Sequence, residues 1–241
     1  MSSSRNDEPA AEVDDPFLSL RSGATEILLI RHADALPDAK DVMAGGYDEQ
    51  PLSDLGNRQA QALARRLEPE KLAALYASPA ARALATAAYV SQSLGLPVQT
   101  EPGVREVYFG ETGARSGDDT ARANLSDVLR AQLRLAAVTA MTTGSWASID
   151  GAEPSSVLRA RVSATVSSLS KAHRGQRIAV ISHAGTINAY LAAVLGIERD
   201  YFFPAANTSI SVVRVLGSRQ LLLCLNDVEH LRSEGLLASP D

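Results

Sequence analysis

The chain has 241 residues, 45% of them apolar, and a formal net charge of −5, so it is long enough to bury a sizeable core within one α/β domain. The negative balance argues against nucleic acid or an anionic membrane as the main partner, because both demand clustered Lys and Arg. The single cysteine, Cys224, permits neither an internal disulfide nor a cysteine-based metal site, and acids near the start (Asp7, Glu8, Glu12, Asp14, Asp15) stand where a signal peptide needs an apolar run; a cytoplasmic location is expected.

In chain order, residues 1–24 mix Ser, Ala, Pro and acids without periodicity and are expected to form a flexible tail, with Phe17 and Leu18 able to dock. Residues 25–241 are expected to form the catalytic domain. Glu26-Ile27-Leu28-Leu29-Ile30 is a short apolar run of the kind found in a strand covered on both faces, and it ends in Arg31-His32. Ser53 is a plausible N-cap for a helix in which Ala60, Leu63, Ala64 and Leu67 recur at helical spacing.

The pattern repeats. Leu72 to Tyr76 reads as a strand, Ser78-Pro79 as a break with a helix-start residue, and Ala80 to Leu94 as a helix stopped by Gly95. A helical insertion is expected at about 111–155, a candidate lid, with its helical character strongest from Leu125 to Met141. Val157 to Ala172 reads as a helix, Ile178 to Ile181 as a second buried strand, and Ala184 to Leu195 as a further helix. Ile210 to Val215 and Leu221 to Leu225 flank Gly217-Ser218 as a hairpin. The alternation predicts an α/β three-layer sandwich: a mainly parallel sheet, helices on both faces, and an antiparallel edge strand.

Open α/β sheets hold ligands beyond the carboxyl ends of their strands, and His32 and His183 each follow a predicted strand. One histidine in that position is usually a packing residue. Two, one directly preceded by Arg31, point toward a shared site.

Ile30-Arg31-His32-Ala33, then Pro51-Leu52-Ser53 to Gln59-Ala60, Ser78-Pro79-Ala80-Ala81-Arg82-Ala83 to Thr86-Ala87, Glu106, and Ser182-His183-Ala184-Gly185 resemble the histidine phosphatase superfamily in order and spacing. The similarity extends over about residues 26–231, taking in Asn207, Asn226-Asp227 and His230-Leu231. The resemblance implies a phosphatase acting on a phosphorylated small molecule. In it, His32 corresponds to the nucleophile that becomes phosphohistidine, Arg31 and Arg82 to the phosphate-clamping arginines, Glu106 to the acid/base carboxylate, and His183 to a second histidine that in charged form holds a phosphate oxygen. Such a pair would have opposite protonation preferences. Guanidinium suits the clamp because it stays charged and offers paired donors to two oxygens.

The chain departs from the family pattern at Ala33 and Ala184, where glycine is usual, and at Asp38, where an asparagine commonly binds phosphate. Gly151-Ala152-Glu153 stands in for the usual Gly-Glu-Ser. Glu111 is a rival to Glu106, whose bland alternative is a surface carboxylate paired with Arg105. His173 reads as a helix-end residue, His230 as structural, and Asp118-Asp119 as a loop pair. No cofactor and no metal are implied, the oligomeric state stays open with a homodimer among the options, and two alternatives to a phosphatase remain. These are a cofactor-dependent phosphoglycerate mutase and a silent binding module on the same fold. The mutase is disfavoured because Arg115, Arg122 and Arg130 are interspersed with Asp118, Asp119 and Asp127.

Overall fold

The computed structural model describes residues 15–35, 50–108, 138–146 and 151–237. Its sheet comprises β1 (Thr25–Arg31), β2 (Leu72–Ala77), β3 (Val98–Thr100), β4 (Arg177–Ser182), β5 (Ile210–Leu216) and β6 (Arg219–Asp227), in the order β3-β2-β4-β1-β5-β6. β1 pairs in parallel with β4, β4 with β2 and β2 with β3, whereas β5 is antiparallel to both β1 and β6. The antiparallel strand therefore lies one place in from the edge, and its hairpin partner β6 is outermost.

Alternate residues of the central strands serve different layers, as a period of two requires when both faces are covered. Ile27, Leu29, Ile178 and Val180 pack with Leu158, Val162 and Val166 of α3 (Ser155–Ala172) and with Ile187 and Leu191 of α4 (Ala184–Leu195). Leu28, Ile30, Ala179 and Ile181 pack on the other side with Leu63 and Leu67 of α1 (Asp54–Leu67) and Ala83, Ala87 and Val90 of α2 (Ala81–Leu94). A short α5 (Glu229–Arg232) closes the fold against α1, with Leu231 packed near Ala62.

The predicted elements that fall within the described residues are present, most of them longer by a few residues, with α4 at its predicted bounds and α2 starting at Ala81 where Ala80 was expected; β3 and α5, at three and four residues, are too short to show a period. Ser53 is the N-cap of α1, accepting from the Gly56 amide at 2.9 Å. The predicted tail is corrected in its last part. Asp15 accepts from the amides of Phe17 (2.9 Å) and Ser19 (2.6 Å), and Leu18 is buried with Ala24 and Leu216, so residues 15–24 dock on the hairpin; apolar burial outweighs the polar composition around Leu18. Most of the expected insertion at about 111–155 lies outside the described residues, and of the rest, 138–143 is helical. Among the described residues no helix is long and apolar enough to cross a membrane.

Candidate active site

The site begins at the carboxyl ends of β1 and β4. Arg31 is in register with Ser182, and the His32 amide donates to the Ser182 carbonyl at 2.9 Å. The histidines that follow these neighbouring strands are thereby brought together, their ring centroids 5.1 Å apart and their planes at 60°. Both are buried, His32 to 6% exposure and His183 to none.

Hydrogen bonds specify where each ring carries its proton. His32 Nδ1 lies 2.7 Å from the Ala33 carbonyl oxygen, which can only accept, so Nδ1 holds the hydrogen and Nε2 the lone pair. Arg82, fully buried at the start of α2, donates from Nε to His32 Nε2 at 3.2 Å and approaches His183 Nδ1 with Nη2 at 3.1 Å. A guanidinium cannot accept, so His183 carries its hydrogen on Nε2 and donates to Ser78 Oγ at 2.8 Å.

Both imidazoles are neutral in this arrangement. Burial pushes each well below the ordinary histidine value, and the Arg82 charge pushes further the same way, with Arg31 adding to it. The protein's own burial and cationic charge therefore act on both rings in the same direction, and the expected opposite preferences would have to come from the charge of a bound phosphate.

The motif residues between the histidines build the wall around His32. The Ala33 amide donates to Thr86 Oγ1 (3.0 Å), which donates to the Arg82 carbonyl (2.7 Å). The Asp34 amide donates to Gln59 Oε1 (2.9 Å), and Ser53 donates through its amide to the Asp34 carbonyl (3.1 Å) and through its hydroxyl to the Asp34 carboxylate. A Cβ at Gly56 would lie 1.9 Å from the Asp34 carbonyl oxygen, so only glycine lets α1 approach this loop so closely. From the other side, Asn207 Nδ2 donates to the His32 carbonyl at 3.0 Å, and the Thr208 amide donates to the Arg31 carbonyl at 3.0 Å. Thr208 has a φ of +53°, a conformation that non-glycine residues adopt at a cost. Its hydroxyl is 3.1 Å from Nε2 of the buried His230, which makes that histidine a structural support.

Arg31 donates from Nη1 to the Ala205 carbonyl at 2.7 Å, and its Nε is buried with no hydrogen-bond partner among the described residues. Glu106 does not pair with Arg105. Its Oε1 accepts from the amides of Val107 (2.9 Å) and Thr186 (3.1 Å), and Oε2 lies 3.3 Å from the Gly185 amide. The carboxyl group thus caps the first turn of α4 by accepting from amides that the helix start leaves free. A Cβ on Gly185 would sit 2.7 Å from Glu106 Oε1 and 2.9 Å from Trp146 Cζ2, so the glycine makes room for the carboxylate.

Arg31, His32, Arg82, Glu106 and His183 are therefore gathered around the carboxyl ends of β1 and β4. The predicted break at Ser78-Pro79 precedes α2, whose N-cap is Ala80; the Ser78 hydroxyl accepts from the Ala80 amide at 3.4 Å and also faces His183. Thr186, which donates to the Arg105 carbonyl at 2.6 Å, carried no signal of its own in the sequence beyond its place after the second histidine. His173 ends α3 and its Nε2 lies 2.8 Å from the Tyr76 hydroxyl, remote from this cluster in the fold. Asp38, Glu111, Asp118, Asp119, Arg115, Arg122, Asp127 and Arg130 lie outside the described residues.

Comparison with known proteins bears on this geometry. The profile of the histidine phosphatase superfamily (branch 1) matches residues 27–228. The chain is 28% identical to phosphoglycerate mutase-like protein 4 of Arabidopsis thaliana over 89% of its own length and 90% of that protein's. It is 27% identical to phosphoserine phosphatase 1 of Hydrogenobacter thermophilus, covering 86% of this chain and 94% of the relative. Among solved structures, YhfR of Bacillus stearothermophilus superposes with a TM-score of 0.68 at 24% identity, covering 86% of this chain and 100% of the other.

Proposed function

Because the chain belongs to branch 1 of the histidine phosphatase superfamily, we propose that it is a phosphomonoesterase that hydrolyses a phosphorylated small molecule through a phosphohistidine on His32. The observation that carries this reading is the 2.7 Å contact between His32 Nδ1 and the Ala33 carbonyl oxygen, which calls for the proton on Nδ1 and so leaves the Nε2 lone pair for phosphorus. Relatives named as phosphatases over nearly the whole chain length support hydrolysis as the outcome.

In the first half of the reaction Nε2 of His32 bonds to phosphorus as the bond to the ester oxygen breaks. The carboxyl of Glu106 gives its proton to the departing oxygen, so the leaving group departs as an alcohol. Arg82, whose donors converge on the imidazole lone pairs, transfers those donors to the phosphoryl oxygens, and Arg31 contributes a second guanidinium to the same charge. A phosphate dianion between the rings also supplies the negative charge that raises the proton affinity of His183, opposing burial and Arg82. In the second half, water attacks phosphorus, Glu106 takes the proton from that water, and the phosphorus–nitrogen bond breaks to release phosphate and restore His32.

The catalytic unit in this reading is residues 25–241, with the segment at about 111–155 as an insertion, and the single Cys224 suits a cytoplasmic enzyme. The test is incubation with radiolabelled phosphoserine or p-nitrophenyl phosphate followed by rapid quench. Acid-labile label on the protein, lost in His32→Ala together with turnover, is expected. Undiminished turnover in that variant would overturn the assignment of His32. Supplying 3-phosphoglycerate with catalytic 2,3-bisphosphoglycerate separates hydrolysis from isomerisation. Phosphate release is expected to dominate.

A further inference from the structure

The segment that carries Glu106 belongs to no strand, so its carbonyls need donors from elsewhere. Ser182 Oγ donates to the Val104 carbonyl at 2.8 Å and Thr186 Oγ1 to the Arg105 carbonyl at 2.6 Å. Two more bonds come from a side chain of α3. Arg161 donates from Nη1 to the carbonyls of Gly103 (2.9 Å) and Arg105 (3.1 Å). The same guanidinium grips Glu153 with two further bonds, Nε to Oε1 at 3.1 Å and Nη2 to Oε2 at 2.8 Å. Glu153 in turn donates its backbone amide to the Tyr108 carbonyl at 2.7 Å.

One charged fork on α3 thus ties together both sides of Glu106, the stretch before it directly and the stretch after it through Glu153. The loop also lies directly on that helix, since a Cβ at Gly103 would come 1.9 Å from Thr165 Oγ1. The side chains of Arg161 and Glu153 are 19% and 14% exposed, so their bidentate contact is shielded from most competing water and is worth more than a surface ion pair. Among the described residues the hydrogen bonds to the imidazole lone pairs come from Arg82, and Arg161 acts on His183 only as a charge that adds in a minor way to the lowering of its proton affinity.

We infer that Arg161, held by Glu153, is a positioning residue for Glu106: it fixes the carboxyl group against the mouth of the site so that proton transfer to the leaving oxygen keeps its geometry. The inference rests on the acid/base reading of Glu106. A lysine cannot replace it, because an ammonium has no planar fork with which to meet two carbonyls and a carboxylate together. Small displacements matter here, since a shift of about 1 Å in a reacting group can cost about 10²-fold in rate.

The experiment compares kcat/KM for p-nitrophenyl phosphate, whose leaving group needs no proton, with that for an alkyl phosphate, whose leaving group does. Arg161→Met, Arg161→Lys, Glu153→Gln, Glu106→Gln and the double variant Glu106→Gln/Arg161→Met are measured alongside thermal melting. Arg161→Met is expected to lose about 30-fold or more on the alkyl ester and about threefold on the aryl ester. Arg161→Lys and Glu153→Gln are expected to show the same bias at smaller size, which keeps the test intact if Arg161→Met does not fold. The double variant should fall no more than about twofold below Glu106→Gln on the alkyl ester, because the two residues act through one proton transfer. Equal losses on both esters in the Arg161 and Glu153 variants, with Glu106→Gln still selective, would overturn the positioning role alone. Equal losses in Glu106→Gln would overturn the acid/base reading and the inference with it.

Discussion

Arg82 donates from Nε to His32 Nε2 across 3.2 Å, so the lone pair assigned to attack phosphorus is the one that a buried cation already holds. The contact orients the ring and depresses its proton affinity in one stroke. It also means that the phosphoryl group and the nucleophile draw on the same guanidinium.

Replacing that guanidinium therefore has two separable effects. Arg82→Met is expected to lower kcat/KM by about 10²–10³-fold, the range for removal of a preorganised donor to developing charge. It should also raise the titration points of His32 and His183, since a cation that lowers both is gone. Imidazole titrations followed by NMR would check the second effect; unmoved or lower values would contradict the electrostatic role of Arg82.

Fold stability should depend on pH through the buried histidines. His32, His183 and His230 are all held below the ordinary histidine value, chiefly by burial. Below about pH 6.5 the unfolded chain binds protons at these positions that the folded chain refuses, so stability is full above that pH and declines as pH falls toward the folded-state values. The melting temperature should drop between about pH 7 and pH 5, and inorganic phosphate should reduce the drop by favouring protonated His183. A melting temperature that rises on acidification would refute this.

Two glycine substitutions should fail in different ways. Gly185→Ala forces a methyl group 2.7 Å from Glu106 Oε1, and Gly56→Ala one 1.9 Å from the Asp34 carbonyl oxygen. Each should cost about 1–3 kcal/mol of stability through overpacking. Gly185→Ala, which disturbs the acid, should slow alkyl phosphates more than aryl phosphates. Gly56→Ala, which shifts the loop after His32, should slow both equally. Kinetics on the two ester classes together with denaturant melts would decide; the same pattern in both variants would reject the division of labour.

Ser78→Ala should leave the His183 Nε2 hydrogen buried without its acceptor, at a cost of about 1–3 kcal/mol. Turnover should fall about tenfold because the tautomer of His183 is no longer specified, and Ser78→Thr should recover most of it. If the alanine variant turns over normally, the hydroxyl is a bystander.

Much of this site was legible in the chain because the fold converts sequence periodicity into position. The apolar runs before His32 and His183 declare buried strands, and ligands collect where such strands end, so the two histidines could be assigned to one place from the residues alone. Arg31 stood out by its place beside His32, whereas Arg82 and Glu106 were singled out only by the resemblance of their segments to the histidine phosphatase superfamily. What the chain could not declare were relationships between residues far apart in sequence. That Ser78 faces His183 depends on the packing of β2 beside β4, and that Gly56 must be glycine depends on a carbonyl contributed by Asp34. Local residues determined the elements, their order and the chemistry on offer. Only tertiary contact decided the electrostatic bias on the two imidazoles, because burial and the charges of Arg82 and Arg31 act through space on both rings.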